Sequence, residues 1–339
     1  MPVTGVAAVT VGPFGLHVQD EGLHDEVRAG MSAVEHMLRD ATKSSYPFVT
    51  ETSRHLVQAG GKRFRPLLTL LAAQFGDPHA PGVVPAAVVC ELTHLATLYH
   101  DDVMDEALLR RGAVSANARW DNTIAILTGD FLFARASLIL ADLGPEAVRI
   151  QARTFERLVT GQIRESTGPA EGERAIDHYL SVVADKTGSL IATCGRFGAM
   201  LSGADEQVVE VLTRFGERIG VAFQLSDDLL DVASDTAESG KTPGTDLREG
   251  VHTLPVLHAL ASVDPADARL RELLTGDLSD DDRHAEALAL LRAHPAMDAA
   301  RADLARYARS AREVLEPLPD VTAKRALYAL CESVIERSG

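Results

Sequence analysis

The sequence predicts an all-α fold built from long helices, and three observations carry that prediction. Helix formers dominate a chain of 339 residues in which hydrophobic residues make up 46% and aromatic residues only 5%. Apolar residues recur at helical spacing, as in Val88, Leu92, Leu95, Tyr99 and Val103, at steps of four, three, four and four. Clusters of glycine and proline punctuate these stretches, as at residues 76–82 (GDPHAPG).

Taken in order, residues 1–20 lack helical period and read as a poorly ordered arm, followed by a single helical domain over residues 21–339. Leu23, Val27, Met31, Val34 and Met37 start the first helix near Gly22. A glycine-rich basic loop at residues 60–66 breaks the chain, and helices are expected over 67–75, 83–109 and 120–141. Residues 142–145 stop the last of these, and the next helix runs to 161–165. The helix over 176–200 contains Lys186-Thr187-Gly188, which predicts a kink carrying a cation and a hydroxyl. Another covers 207–233, and the turn-rich loop at 239–250 is a candidate lid. Asp264-Pro265 and Ser279 mark further helix starts, and residues 284–321 show helical period without a chemical cluster, hence packing or interface.

Composition excludes some functions. A net charge of −16 argues against a nucleic-acid partner. Cys90, Cys194 and Cys331 lack metal-ligand spacing and read as buried free thiols in a reducing cytosol. No Lys or Arg precedes Arg28, so no secretory signal is indicated. No uninterrupted apolar run is expected to span a membrane; the best candidate, residues 83–99, contains Glu91 and His94. A soluble, cytoplasmic protein is expected.

The chemistry is concentrated in a few stretches. Asp101-Asp102-Val103-Met104-Asp105 ends a long apolar helix, and the spacing of Asp101 and Asp105 puts both carboxylates on one face. Hard oxygen ligands so placed suit Mg²⁺, and Arg110-Arg111 just beyond offers forked donors for phosphate. One such motif also fits a solvated acidic helix end. The device recurs on an independent helix as Asp227-Asp228-Leu229-Leu230-Asp231, with Gln224 one turn earlier. Gly60-Gly61-Lys62-Arg63-Phe64-Arg65-Pro66 combines adjacent glycines, close cations and a helix start, as an anion site or as an ordinary basic loop. Two pairs of carboxylates can hold Mg²⁺ on a diphosphate, and no Ser-His-Asp or Cys-His arrangement competes. Ionisation of an allylic diphosphate is the chemistry this suggests.

In these stretches, together with His94, Gly161-Gln162, Phe223-Gln224 and Gly240-Lys241, the sequence resembles the all-trans isoprenyl diphosphate synthases over roughly residues 25–335. The resemblance implies an isoprenoid-synthase-type bundle of long helices around a deep central cavity, usually as a homodimer. It implies three Mg²⁺ ions, with Asp101, Asp105 and Asp227 as direct ligands and Asp102, Asp228 and Asp231 direct or through water. Arg110, Lys186, Gln224 and Lys241 are then expected on the allylic diphosphate. Gly61, Lys62, Arg65, His94 and Arg111 are expected on isopentenyl diphosphate, with Thr187 and Phe223 nearby and Gln162 behind. The reaction it implies is ionisation of the allylic diphosphate, head-to-tail attack by isopentenyl diphosphate and proton loss to a trans double bond. One departure is Val251, where the family often has a lysine that meets the allylic diphosphate; His252 or Arg248 could compensate.

Ala96 and Thr97 stand where short-chain members carry aromatics, so a long product of C30 or more is expected, for example for a quinone side chain and handed to the membrane. A C20 product is the main competitor. A class I terpene cyclase has no need of Lys62, Arg65 and Arg111, and a non-catalytic subunit loses aspartates that all remain here. A head-to-head coupling enzyme lacks the loop at residues 60–66.

Overall fold

The computed structural model describes residues 9–11, 16–18, 20–234 and 243–337. In chain order these form β1 (Val9–Val11), β2 (Leu16–Val18), α1 (Glu21–Ala41), α2 (Pro47–Gln58), α3 (Phe64–Ala73) and α4 (Val83–Met104). Next come β3 (Leu109–Arg110), β4 (Ala113–Val114), α5 (Ala116–Arg119), α6 (Asn122–Leu143), α7 (Pro145–Thr167) and α8 (Ala175–Val183). A π-helical turn (Ala184–Gly188) leads into α9 (Ser189–Leu201) and α10 (Glu206–Ala233). The remainder is α11 (Thr245–Arg248), α12 (Leu254–Leu260), a 3₁₀ turn (Pro265–Asp267), α13 (Ala268–Leu274), α14 (Asp281–Ala293), α15 (Ala296–Val314) and α16 (Thr322–Glu336). The all-α expectation holds. The strands are two short antiparallel hairpins, one of which, β1–β2, lies within the arm expected over residues 1–20.

The chain expected as one domain over 21–339 forms two compact units. The first comprises residues 1–155, 190–216 and 317–329. Its centre is α4, whose Ala86 to Cys90, Leu92, Leu95 and Tyr99 are buried. Buried Tyr99 ties α4 to α2: its hydroxyl donates to the Thr52 carbonyl (2.5 Å) and accepts from the Leu56 N–H (3.2 Å). α6 lies close against α4 because Gly129 has no side chain; a Cβ there would sit 2.3 Å from His100 Nε2. Asp20 caps α1 through the Leu23 N–H (3.1 Å) and accepts from Thr322 Oγ1 (2.7 Å).

The second unit comprises residues 156–189, 217–316 and 330–339. Arg157 joins Asp185 (3.0 Å) to Glu217 (2.7 Å), and Arg292 caps the end of α10 by donating to the carbonyls of Val232 and Ser234, both at 2.7 Å.

Several expectations change. The helix expected to reach 109 stops at Met104, because Glu106 takes φ +49° and the chain turns into the β3–β4 hairpin. Three carboxylates in the last turn oppose the negative end of the helix, which favours this stop. The helix expected from 67 begins at Phe64. The kink at Lys186 is the π-helical turn. Two helices, α4 and α6, are long and apolar enough to cross a membrane by length and composition, although charged residues interrupt both; 67% of the α4 window is buried but only 33% of the α6 window. The part of the candidate lid at residues 239–242, with Gly240 and Lys241, lies outside the described residues.

Candidate active site

Each unit carries one cluster of the side chains singled out by the sequence. In the first unit, Asp101 and Asp102 occupy the last turn of α4, and Asp105 is its C-cap. Asp102 is fully buried, and its Oδ1 accepts from Arg110 Nε at 2.5 Å. Burial raises the Asp102 carboxyl above its ordinary value, although Arg110 pulls it down. Its Oδ2 is buried with no hydrogen-bond partner among the described residues. Asp105 is half exposed, 3.9 Å from the Arg110 guanidinium. Arg110 therefore offsets part of the charge of the motif it follows.

The basic loop folds around Arg63, which the sequence did not single out as a site residue. Its backbone is left-handed (φ +48°) and its side chain almost fully buried. The guanidinium donates to Glu35 on α1 (2.5 Å), Glu91 on α4 (2.8 Å) and the Val57 carbonyl (3.0 Å). Burial alone would depress this guanidinium; Glu91 and Glu35 outweigh it and hold it above its ordinary value.

Arg111, also left-handed (φ +53°), closes the loop from the other side. It donates to the carbonyls of Gly60 and Leu56 (3.4 Å), and its Nη2 lies 3.5 Å from His94 Nε2. The guanidinium is pressed against Gly61, where a Cβ would stand 2.7 Å from Arg111 Cζ; with φ +140° as well, this position requires glycine. Burial, then Arg65 and Arg111, push the His94 imidazole well below its ordinary value, so it is neutral at pH 7. Lys62 is exposed and Arg65 half-buried at the start of α3. The unit thus gathers Gly61, Lys62, Arg65, His94 and Arg111 around one loop.

In the second unit the cluster centres on α10. Asp227 pairs with Arg337 (2.5 Å), whose guanidinium also lies 5.1 Å over the Phe223 ring. Asp228 is 3% exposed, and burial pushes it up to about 7. It accepts from Tyr179 and from Gln224 Nε2 (2.9 Å). The Asp231 oxygens accept from the backbone N–H groups of Thr245 (3.2 Å) and Asp246 (3.1 Å) at the start of α11. Lys186 and Thr187 project from the π-helical turn, against which α7 packs through Gly161; Lys186 pairs with Glu165 (2.6 Å) and Thr187 donates to Gln224 (3.2 Å). Gln162 Oε1 is buried with no hydrogen-bond partner among the described residues. Val251 is exposed, and Arg248 is held by the Ser279 carbonyl (3.1 Å) and Asp281 (2.9 Å).

Sequence reasoning missed Arg63, Tyr179 and Arg337. Among the described residues no three His, Cys, Asp or Glu side chains converge on one point. Mg²⁺ takes one or two carboxylates and completes its shell with water and phosphate. The donors on offer are carboxylate oxygens at a helix C-terminus, and Asp102 Oδ2 is an orphaned buried acceptor beside them, so the residues fit a hard divalent cation.

A cavity of about 420 Å³ lies within the first unit, lined in part by Thr93, Phe133, Ala136, Ser137, Leu140 and Phe155. Ala96 is fully buried and Thr97 donates to the His94 carbonyl (2.8 Å); α4 contributes Thr93 and His100 to the lining of this cavity.

The polyprenyl synthetase family model matches residues 46–291. The chain belongs to the polyprenyl synthetase family. It is 52% identical to a nonaprenyl diphosphate synthase of Mycobacterium tuberculosis (strain ATCC 25618 / H37Rv), covering 100% of this chain and 99% of that one. Among solved structures, a geranylgeranyl pyrophosphate synthase from Corynebacterium glutamicum, complexed with calcium and isoprenyl diphosphate, is 46% identical with a TM-score of 0.86, covering 95% of this chain and 99% of that one. A decaprenyl diphosphate synthase from Rhodobacter capsulatus is 35% identical with a TM-score of 0.85, covering 94% and 99%. This polyprenyl synthetase is therefore a trans-prenyltransferase, and its helical fold is that of the isoprenyl diphosphate synthases.

Proposed function

We propose that this polyprenyl synthetase condenses isopentenyl diphosphate with an allylic diphosphate to an all-trans product of C30 or longer, with three Mg²⁺ ions. The observation that carries this reading is the pair of DDxxD motifs, one at the C-terminal end of α4 and one on α10. Asp101, Asp105 and Asp227 hold Mg²⁺ directly, with Asp102, Asp228 and Asp231 behind them. The bound metal supplies charge neutralisation that makes the allylic diphosphate a better leaving group. Arg110, Lys186, Gln224 and Lys241 orient that diphosphate. Gly61, Lys62, Arg65, His94 and Arg111 hold isopentenyl diphosphate with its double bond toward the departing carbon. The neutral His94 acts there by hydrogen bonding, and the dry setting strengthens every charge–charge contact.

The cavity beside α4 supports a long product, since small Ala136 and Ser137 leave room for a growing tail. Similarity to a nonaprenyl synthase supports the same length. α6 exposes Leu127, Phe131 in part, Ala134, Leu138 and Ala141 at steps of four, three, four and three, an apolar stripe that supports a homodimer. Three buried free cysteines fit a cytoplasmic enzyme that hands its product to the membrane.

Incubating the purified protein with Mg²⁺, isopentenyl diphosphate and each C5 to C20 allylic primer, then chromatographing the products, tests the reading. The expected result is elongation to C30 or beyond. A C20 end product contradicts the length, and no elongation with any primer contradicts the reaction.

A further inference from the structure

Tyr179 on α8 and Thr187 in the π-helical turn both reach α10, one to Asp228 and the other to Gln224. In a regular α-helix side chains share a face about 7 residues apart. The π-helical turn between these two takes up an additional residue, so that Tyr179 and Thr187, one step further apart, reach the same helix. Their targets lie one turn apart on α10 and bond to each other: Gln224 Nε2 donates to Asp228 Oδ1 at 2.9 Å. The result is one continuous relay, from Tyr179 to Asp228 and from Thr187 through Gln224 to Asp228.

The relay has a fixed polarity. Asp228 Oδ1 accepts from Gln224 Nε2, which turns the amide carbonyl toward Thr187. The Thr187 hydroxyl hydrogen is then committed to Gln224 Oε1 (3.2 Å). One Gln224 N–H is left to donate. Asp228 is 3% exposed and has a partner on each oxygen, unlike Asp105 of the first motif, which is half exposed.

We propose that Tyr179 is a positioning residue of this polyprenyl synthetase: through Asp228 it fixes the direction of the Gln224 amide, backed by Thr187, and so presents the remaining Gln224 N–H to a diphosphate. Asp228 then serves the relay, and divalent-metal affinity rests on its neighbours. The inference rests on the prenyltransferase reading above.

The test uses the full chain with Tyr179→Phe, Asp228→Asn and Thr187→Val. Calorimetric titration with inorganic diphosphate in Mg²⁺ reads ligand binding without turnover, and steady-state assays read each KM. Losing one such hydrogen bond is worth roughly fivefold. Tyr179→Phe and Asp228→Asn are each expected to weaken diphosphate and raise the allylic KM by about fivefold. The KM for isopentenyl diphosphate and the Mg²⁺ half-saturation should stay within about twofold. Tyr179→Phe combined with Thr187→Val should cost no more than the larger single change, because both break one relay.

Additive losses overturn the proposal. So does an Asp228→Asn enzyme whose Mg²⁺ half-saturation shifts as far as that of Asp227→Asn while Tyr179→Phe behaves as wild type. If Asp228→Asn unfolds the chain, as circular dichroism would report, the Tyr179→Phe and Thr187→Val cycle still decides. A wild-type chain that elongates no primer defeats the prenyltransferase reading, whereas the calorimetric cycle judges the relay separately.

Discussion

The cationic loop of the first unit and the acidic end of α10 in the second are built on opposite plans. In the loop, guanidinium groups are fixed by partners that are not site residues: Arg63 by Glu35 and Glu91, Arg111 by the carbonyls of Gly60 and Leu56. The loop's charges are in place whatever the ligand does. On α10 the chemically important groups hold one another or are held by groups of the same cluster: Asp227 by Arg337, Asp228 by Tyr179 and Gln224, Asp231 by the start of α11. Here a bound metal or diphosphate must trade places with a protein contact. A phosphate cradle of arginines can be prebuilt at the expense of buried acids, whereas carboxylates without a metal need temporary partners.

The largest effect expected is in catalysis. Asp101→Asn combined with Asp105→Asn should lower kcat by at least 10²-fold, on the order of removing one strong electrostatic stabiliser, with an unchanged circular dichroism spectrum. A loss below tenfold would detach the α4 motif from the metal.

Next comes the clamp behind the loop. Arg63→Met leaves Glu91, 1% exposed, without its guanidinium, and should cost about 3–5 kcal/mol in chemical denaturation. A cost under 1 kcal/mol would mean that Arg63 is an ordinary surface cation.

A smaller, steric effect is expected at Gly61. Gly61→Ala places a Cβ on the Arg111 guanidinium and should raise the KM for isopentenyl diphosphate about tenfold, with the allylic KM near wild type. Equal rises in both would erase the division of labour between the clusters.

Product length is a finer probe. Ala136→Phe fills part of the cavity beside α4 and should shorten the product by at least one isoprene unit in chromatography. An unchanged distribution would place the tail elsewhere.

The smallest effect is in pH. The folded imidazole of His94 has a pKa well below its unfolded value of 6.5. The unfolded chain therefore binds the extra proton between those two values, and stability falls as pH drops below about 6.5, by up to about 1.4 kcal/mol per unit. His94→Gln should flatten the melting temperature between about pH 5 and 6.5; an unchanged slope would assign it to another group.

Much of this was legible because its code is local. The DDxxD spacing places carboxylates on one helical face, and Gly60-Gly61 announces a loop. The helices of both units follow from apolar period and breakers, apart from the C-terminal end of α4, which stops at Met104 and not at 109. What escaped notice depends on distance in sequence. Arg63 meets Glu35 and Glu91 from 28 residues away, and Arg337 meets Asp227 across 110. Neither pairing leaves a local pattern. Tyr179 carries no local signal within the helix expected over 176–200, because the π-helical turn that aligns it with Thr187 has no sequence signature of its own. The end of α4 differs for a related reason: Ala107, Leu108 and Leu109 extend the apolar character past the point where clustered charge and the left-handed Glu106 turn the chain.

The contrast between the two clusters can be measured by calorimetric titration of isopentenyl diphosphate, and separately of an allylic diphosphate, in EDTA and in Mg²⁺. A prebuilt arginine loop predicts that isopentenyl diphosphate keeps its affinity within about threefold in EDTA, while the allylic ligand loses about 10²-fold. Equal losses for both ligands would contradict it.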